Sequence, residues 1–214
     1  MTDTTRTLVW EGLDAWRAEI VRVELTSDGL RATGTQIGVE PVVYRLDYVL
    51  EAGERFVTRA LEVEATGAGW RRRIEVRHDG RGCWSCDGEA EGDHEFDEPP
   101  GGSVEGLSEA LDCDLGLSPL TNFMPLRRHG FFEAEGAGEL TMAFVSVPEL
   151  GLHASAQRYE HVRRDRGGSV VRYVDLGVHS GIESELVLDL EGFVVLYPGL
   201  ARSAGAAAVS AKRG

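Results

Sequence analysis

Positive charge is scarce in this chain. Lys and Arg number 22 against 36 Asp and Glu over 214 residues, leaving a net charge of −14. Such a field repels nucleic acid and anionic lipid surfaces at long range, so neither a nucleic-acid partner nor a polybasic membrane anchor is expected. Long apolar runs are missing too. Met1 to Trp10 holds no apolar signal core, and no window approaches the roughly 18 apolar residues of a spanning helix. A soluble cytoplasmic protein is the expectation. Cysteine is limited to Cys83, Cys86 and Cys113, an odd number and too few for a disulfide framework. Reduced thiols suit the same compartment.

Familiar catalytic signatures are also absent. No Gly-x-Ser-x-Gly elbow surrounds a serine, and no His-x-x-x-His pair exists among His78, His94, His129, His153, His161 and His179. No Gly-rich loop opens a helix as phosphate binding would require. Cys83-Trp84-Ser85-Cys86 has the spacing of a redox or zinc half-site, but no helical pattern follows it and no second pair matches it. No cofactor or metal is expected, and the chain does not read as an enzyme.

What is present is a period of two. Ala18 to Leu25 sets Ile20 against polar neighbours, turns at Ser27-Asp28-Gly29 and continues from Leu30 to Ile37. In 42–50, Tyr44, Leu46, Tyr48 and Leu50 share one face, the mark of a half-buried strand. Arg55 to Glu64 alternates with Val57, Leu61 and Val63 on one side. Trp70 to His78 is apolar through Trp70, Ile74 and Val76 and basic on its other face. Asp87 to Gly106, acidic and Gly-rich with Pro99-Pro100, reads as a loop. Further strands are expected at Glu139 to Val147, Leu152 to Val162, Ser169 to Leu176, Ile182 to Leu190 and Phe193 to Tyr197. In Ile182 to Leu190 the residues Ile182, Leu186, Leu188 and Leu190 share a face. Trp10 to Trp16 is too short to assign.

The two halves read alike. A shift of 112 places Ile74 on Leu186, Val76 on Leu188 and Gly80 on Gly192, which suggests a repeat of about 18–90 and 131–200. With so little 3.6-residue periodicity, the class is all-β: a duplicated antiparallel sheet forming a spiral β-roll or curved half-barrel, with little helix. Residues 1–202 make one domain and 203–214 a flexible tail. A rolled sheet of this size can hold an apolar ligand.

Asp112 to Gly130 divides the halves and is the least generic stretch. Ser118 can cap a short helix that begins at Pro119, and Pro125 is expected to stop it. Asp112 and Asp114 lie at strand spacing, suited to acid and base work, to a cation or to an arginine partner. Thr121 and Asn122 with Arg127 and Arg128 could grip phosphate, carboxylate or sugar hydroxyls. Equally, those arginines could pair with Asp112 and Asp114. Trp84, Phe123, Tyr159 and Tyr197 are core aromatics or the lining of an apolar cavity.

The chain resembles the bacterial "putative glycolipid-binding" proteins. The matching residues are Asp112-Cys113-Asp114-Leu115-Gly116, Ser118-Pro119-Leu120-Thr121-Asn122, Pro125-Leu126-Arg127-Arg128, Val147-Pro148, Gln157-Arg158-Tyr159 and Gly192 to Leu200. Cys113 stands where the family usually has Val, and Phe123-Met124 where it has Thr-Leu. The resemblance runs from Trp10 to about Arg202. It implies a duplicated spiral β-roll like those of bacterial lipoprotein carriers, and it adds Gln157 to the ligand-facing candidates. The expected partner is a lipid or glycolipid held in an apolar cavity, with Thr121, Asn122, Arg127 or Arg128 meeting the head group. Oligomeric state, monomer or homodimer, stays open. The competing readings are a hydrolase or isomerase using Asp112, Asp114 and His129, and a structural or regulatory partner protein.

Overall fold

Alternation drives the architecture of the computed structural model, which describes residues 4–92, 96–177 and 180–205. Seven strands form the first half: β1 (Thr4–Gly12), β2 (Arg17–Leu25), β3 (Leu30–Gly38), β4 (Tyr44–Ala52), β5 (Thr58–Gly67), β6 (Trp70–His78) and β7 (Trp84–Gly92). The second half contributes β8 (Asp112–Leu115), a short helix α1 (Phe123–His129), then β9 (Ala137–Val145), β10 (Leu152–Asp165), β11 (Gly168–Asp175), β12 (Glu183–Leu188), β13 (Val194–Tyr197) and β14 (Ala201–Ser203). All fourteen strands join one curved, unclosed sheet in the order β7-β6-β5-β4-β3-β2-β1-β14-β13-β12-β11-β10-β9-β8. Every pairing is antiparallel except β8 with β9. The first and last strands therefore meet in the middle of the sheet, where Trp10 lies opposite Ser203 and Gly12 opposite Ala201.

The sheet then folds over so that its outer parts face each other. The Thr58 amide donates to the Leu111 carbonyl at 3.0 Å, and the Cys113 amide donates to Thr58 Oγ1 at 3.0 Å, joining β5 to β8 across the concave side. Gly101 pairs with Gly151 and exchanges two backbone bonds of 2.8 Å with Leu150 and Leu152. These bonds occupy donors and acceptors that would otherwise be offered to other chains.

Side chains fill the concave side. One cluster gathers residues of β2 to β6 with Phe123, Met124 and Phe193; a second holds Leu126, Phe132, Tyr159, Tyr173, Leu186 and Leu188. Helix α1 bridges them, giving Phe123 and Met124 to one and Leu126 to the other. Tyr44, Leu46, Tyr48 and Leu50 are all buried, as the alternation of β4 predicts. Gly34 of β3 is needed by Tyr48: a methyl group there would lie 2.3 Å from its ring.

Several expectations need correction. Ser118 does cap, accepting from the Leu120 amide at 3.3 Å, and Pro119 opens a 3-10 turn over Pro119–Asn122. Pro125 does not stop the helix. It occupies the first turn of α1, where its missing N–H costs nothing, and the helix ends at Gly130 in the left-handed conformation. The expected loop 87–106 is a strand up to Gly92, because β7 is an edge with no apolar alternation to reveal it. Ile20 points outward, and β2 instead turns Arg17, Glu19, Val21 and Val23 inward. Leu186 and Leu188 are buried, but Ile182 and Leu190 are exposed in turns. Ser203 belongs to β14, so the sheet reaches past residue 202; of the expected tail, 206–214 lies outside the described residues, as do His94 and His179. Among the described residues no helix is long and apolar enough to cross a membrane.

Candidate functional site

Strand β8 sends alternate side chains to opposite sides. Cys113 turns toward Thr58, and burial pushes its thiol up to about 12. Asp112 and Asp114 turn toward α1 and β10, where each has its own partners. Asp112 meets Arg128 in a two-pronged ion pair whose side chains are 1% and 2% exposed. Burial raises the Asp112 carboxyl above the ordinary aspartate range against the pull of that guanidinium. Asp114 accepts from Thr121 Oγ1 at 2.7 Å and from Gln157 Nε2 at 2.6 Å.

A polar chain continues from Asp114. The Tyr159 hydroxyl lies 3.0 Å from both Gln157 Oε1 and Asn122 Oδ1, and Asn122 Nδ2 donates to the Pro119 carbonyl at 3.3 Å. Thr121, Gln157 and Tyr159 are each 1% exposed. This chain forms the back of a cleft of about 470 Å³, into which Asp114 and Asn122 project.

The cleft opens where the β1–β2, β9–β10, β11–β12 and β13–β14 turns come together beside the end of β8. Its walls are largely apolar, through Leu115, Leu117, Phe144, Val147, Ile182 and Leu200. Its polar groups are the carboxylates of Asp14, Asp114, Glu149 and Asp175, the phenols of Tyr173 and Tyr197, and a few hydroxyls and amides. Tyr173 packs edge-on between Tyr159 and Tyr197, with centroids 5.4 and 5.8 Å away. Burial, helped by the charge of Asp114, raises both Tyr173 and Tyr197, so their hydroxyls stay protonated. Among the described residues, none of those lining the cleft is Lys, Arg or His. The carboxylates stand around the cleft rather than at one point: among the described residues no three His, Cys, Asp or Glu side chains converge as metal ligands would.

The sequence candidates divide accordingly. Asn122 and Tyr197 line the cleft, and Thr121, Gln157 and Tyr159 brace it from behind. Arg128 is committed to Asp112, the alternative left open above, and so does not offer its charge to a ligand. Arg127 lies over the rings of Phe132, at 5.2 Å, and Phe56, at 6.0 Å, and does not line the cleft. Trp84 is a packing residue, stacked on His78 at 4.4 Å with its indole N–H donating to Ala110. His129 stacks on Phe131, and burial with neighbouring arginines lowers its pKa. Phe123 is core. Cys86 lies on strand β7 and Cys83 just before it, both as free thiols.

Sequence reasoning missed Asp14, Glu149, Tyr173 and Asp175. Tyr173 and Asp175 do carry a signal, since they sit two apart on β11 and Tyr173 pairs with Tyr159 across the ladder. Asp14 and Glu149 lie in turns, where no periodicity points to them.

Residues 7–203 match the model of a family described as "Putative glycolipid-binding". Among solved structures, the chain is similar to a DUF1089 family protein from Pseudomonas aeruginosa, at 26% identity and a TM-score of 0.62 over 89% of this chain and 92% of that one. No curated protein matches it.

Proposed function

This chain belongs to the "putative glycolipid-binding" family, and from that premise we propose that it binds the sugar head group of a glycolipid, without catalysis, in the cleft between its converging turns. The observation that supports this reading is the lining: carboxylates, two protonated tyrosines and Asn122 on apolar walls, with no cationic side chain among its described residues. Carboxylate and amide oxygens accept from sugar hydroxyls, phenols donate to them, and the aromatic faces of Tyr173 and Tyr197 match the apolar face of a pyranose ring. A phosphate or carboxylate head would meet four carboxylates and no cation among the described lining residues. The arginine-based head-group contact suggested by the sequence is therefore set aside in favour of Asn122, Asp114, Asp175 and the tyrosines. Asp112 and Asp114, each engaged by separate partners, support a structural role better than an acid and base pair.

Titration calorimetry with short-chain neutral glycosides, against short-chain phosphatidyl lipids, tests this. Saturable binding of a neutral glycoside is expected, weakened tenfold or more in Tyr197→Ala and Asp175→Asn variants that melt like the parent. Preference for the phosphatidyl lipids, or glycoside affinity unchanged in both variants, would overturn it.

A further inference from the structure

Because neighbouring strands alternate in direction, every second turn lies at the same end of the sheet. The turns at 13–16, 39–43, 146–151 and 198–200, the described residues 176–177 and 180–182 between β11 and β12, and the end of β8 share one end, which is also the end where the cleft opens. Eleven large apolar side chains are exposed among the described residues, and six of them are on these turns: Leu13, Trp16, Val39, Val43, Leu176 and Ile182. Trp16 is 63% exposed and Val43 67%. The opposite end is the internal control. Its turns carry Asp28, Glu54, Arg55, Asp79, Arg81, Asp165 and Arg166, and Leu190 is its one large exposed apolar residue among those described.

A second hollow of about 590 Å³ extends the cleft along the same end. It shares Ser146 and Glu149 with the cleft and is walled by Pro41, Val42, Phe96 and Pro99, with Asp97, Glu98 and His153 as its other polar lining. Charge decides what can cover this end. The described turns there bear Asp14, Glu40 and Glu149 and no Lys or Arg, and the arginines on the adjoining strand ends, Arg17, Arg45 and Arg202, are paired with Asp14, Asp47 and Glu11. An anionic bilayer would be repelled, and a second copy would bring carboxylates against carboxylates. An uncharged, hydroxyl-rich surface over hydrocarbon suits both the carboxylates and the apolar tips.

The geometry points to this end as a docking rim for a lipid layer with neutral sugar head groups. Trp16 and Val43 enter the head-group boundary while one head group occupies the cleft. This inference rests on the glycolipid reading and deepens it. The concave side is already filled by the two core clusters, so the acyl chains stay in the layer while the protein reads the head group from outside.

Vesicle flotation separates the two claims. The probes are phosphatidylcholine vesicles containing one-fifth monoglucosyl diacylglycerol, the same vesicles without glycolipid, and vesicles in which phosphatidylglycerol replaces it. Trp10, Trp70 and Trp84 are buried, so a blue shift of the exposed tryptophan emission reports Trp16. The protein is expected to float with the glycolipid vesicles and to shift its emission. Trp16→Asp with Val43→Asp should lower that partitioning tenfold or more while leaving affinity for a soluble neutral glycoside unchanged, since neither residue lines the cleft. Glycoside binding without flotation would overturn the rim and spare the head-group reading. Flotation without glycoside binding would spare the rim and overturn the head-group reading. Preference for phosphatidylglycerol vesicles, equal flotation of the double variant, or a stable dimer dissolved by Trp16→Asp would each refute the rim.

Discussion

Glu19 offers a quantitative test of how the interior is organised. It sits on β2, 3% exposed, with Oε1 accepting from the Tyr48 hydroxyl at 2.6 Å and from Ser118 at 2.7 Å, while Oε2 has no partner. Burial raises its pKa from 4.5 to about 7, because the hydrogen bonds from Tyr48 and Ser118 only partly offset the loss of water. The native carboxyl thus keeps its proton up to about pH 7, whereas the unfolded one releases it near 4.5. Between those values the native state binds more protons, so this group's contribution to stability falls as pH rises. At roughly 1.4 kcal/mol per pH unit, the change between pH 5 and pH 8 is about 2–3 kcal/mol. Glu19→Gln keeps the shape and removes the titration. Chemical denaturation of both proteins at several pH values should show the variant gaining on the parent by about that amount from pH 5 to pH 8. Taking the difference cancels the histidines, which titrate in the same window. Parallel profiles would refute the assignment of a proton to Glu19.

Two further tests address the central stretch. Asp112→Ala strands the Arg128 charge in the interior and should cost about 3–5 kcal/mol in denaturant unfolding, whereas Asp112→Leu with Arg128→Met should cost clearly less; equal losses would show that the pair is not coupled. Cys83 is exposed and Cys113 buried with its thiol held at about 12, so iodoacetamide at mildly alkaline pH should modify Cys83 in the native protein and Cys113 only after unfolding. Native labelling of Cys113 would show that the β5–β8 seam opens.

Legibility followed burial. Strands β4 and β6 were readable because one face of each enters the core and composition records that choice residue by residue. Strand β7 was not, since Asp87-Gly88-Glu89-Ala90-Glu91 is held by backbone pairing to β6 while its side chains stay in water. The same reason hid β1, most of whose side chains are not buried, while β14 is only three residues long. Ile20 and Glu19 exchanged their expected faces because a buried network, Tyr48-Glu19-Ser118, outweighed hydrophobicity at one position. In the site, Asn122, Gln157, Tyr159 and Tyr197 were named by motif and by aromatic character, and the structure brings them together. Arg127 and Arg128 were chosen for a charge that the fold directs to ring faces and to Asp112.

By itself, then, the sequence determined the class, most of the strands and the short helix at the divide, because period, turn residues and caps act within a few positions. Only the tertiary structure decided that the first and last strands meet mid-sheet, that Asp112 takes Arg128, and that Asp14, Asp114, Asp175 and Tyr197 surround one cleft. Those outcomes depend on sheet curvature and on registers between strands far apart in the chain, and no local pattern of residues encodes which turns a folded-over sheet will bring together.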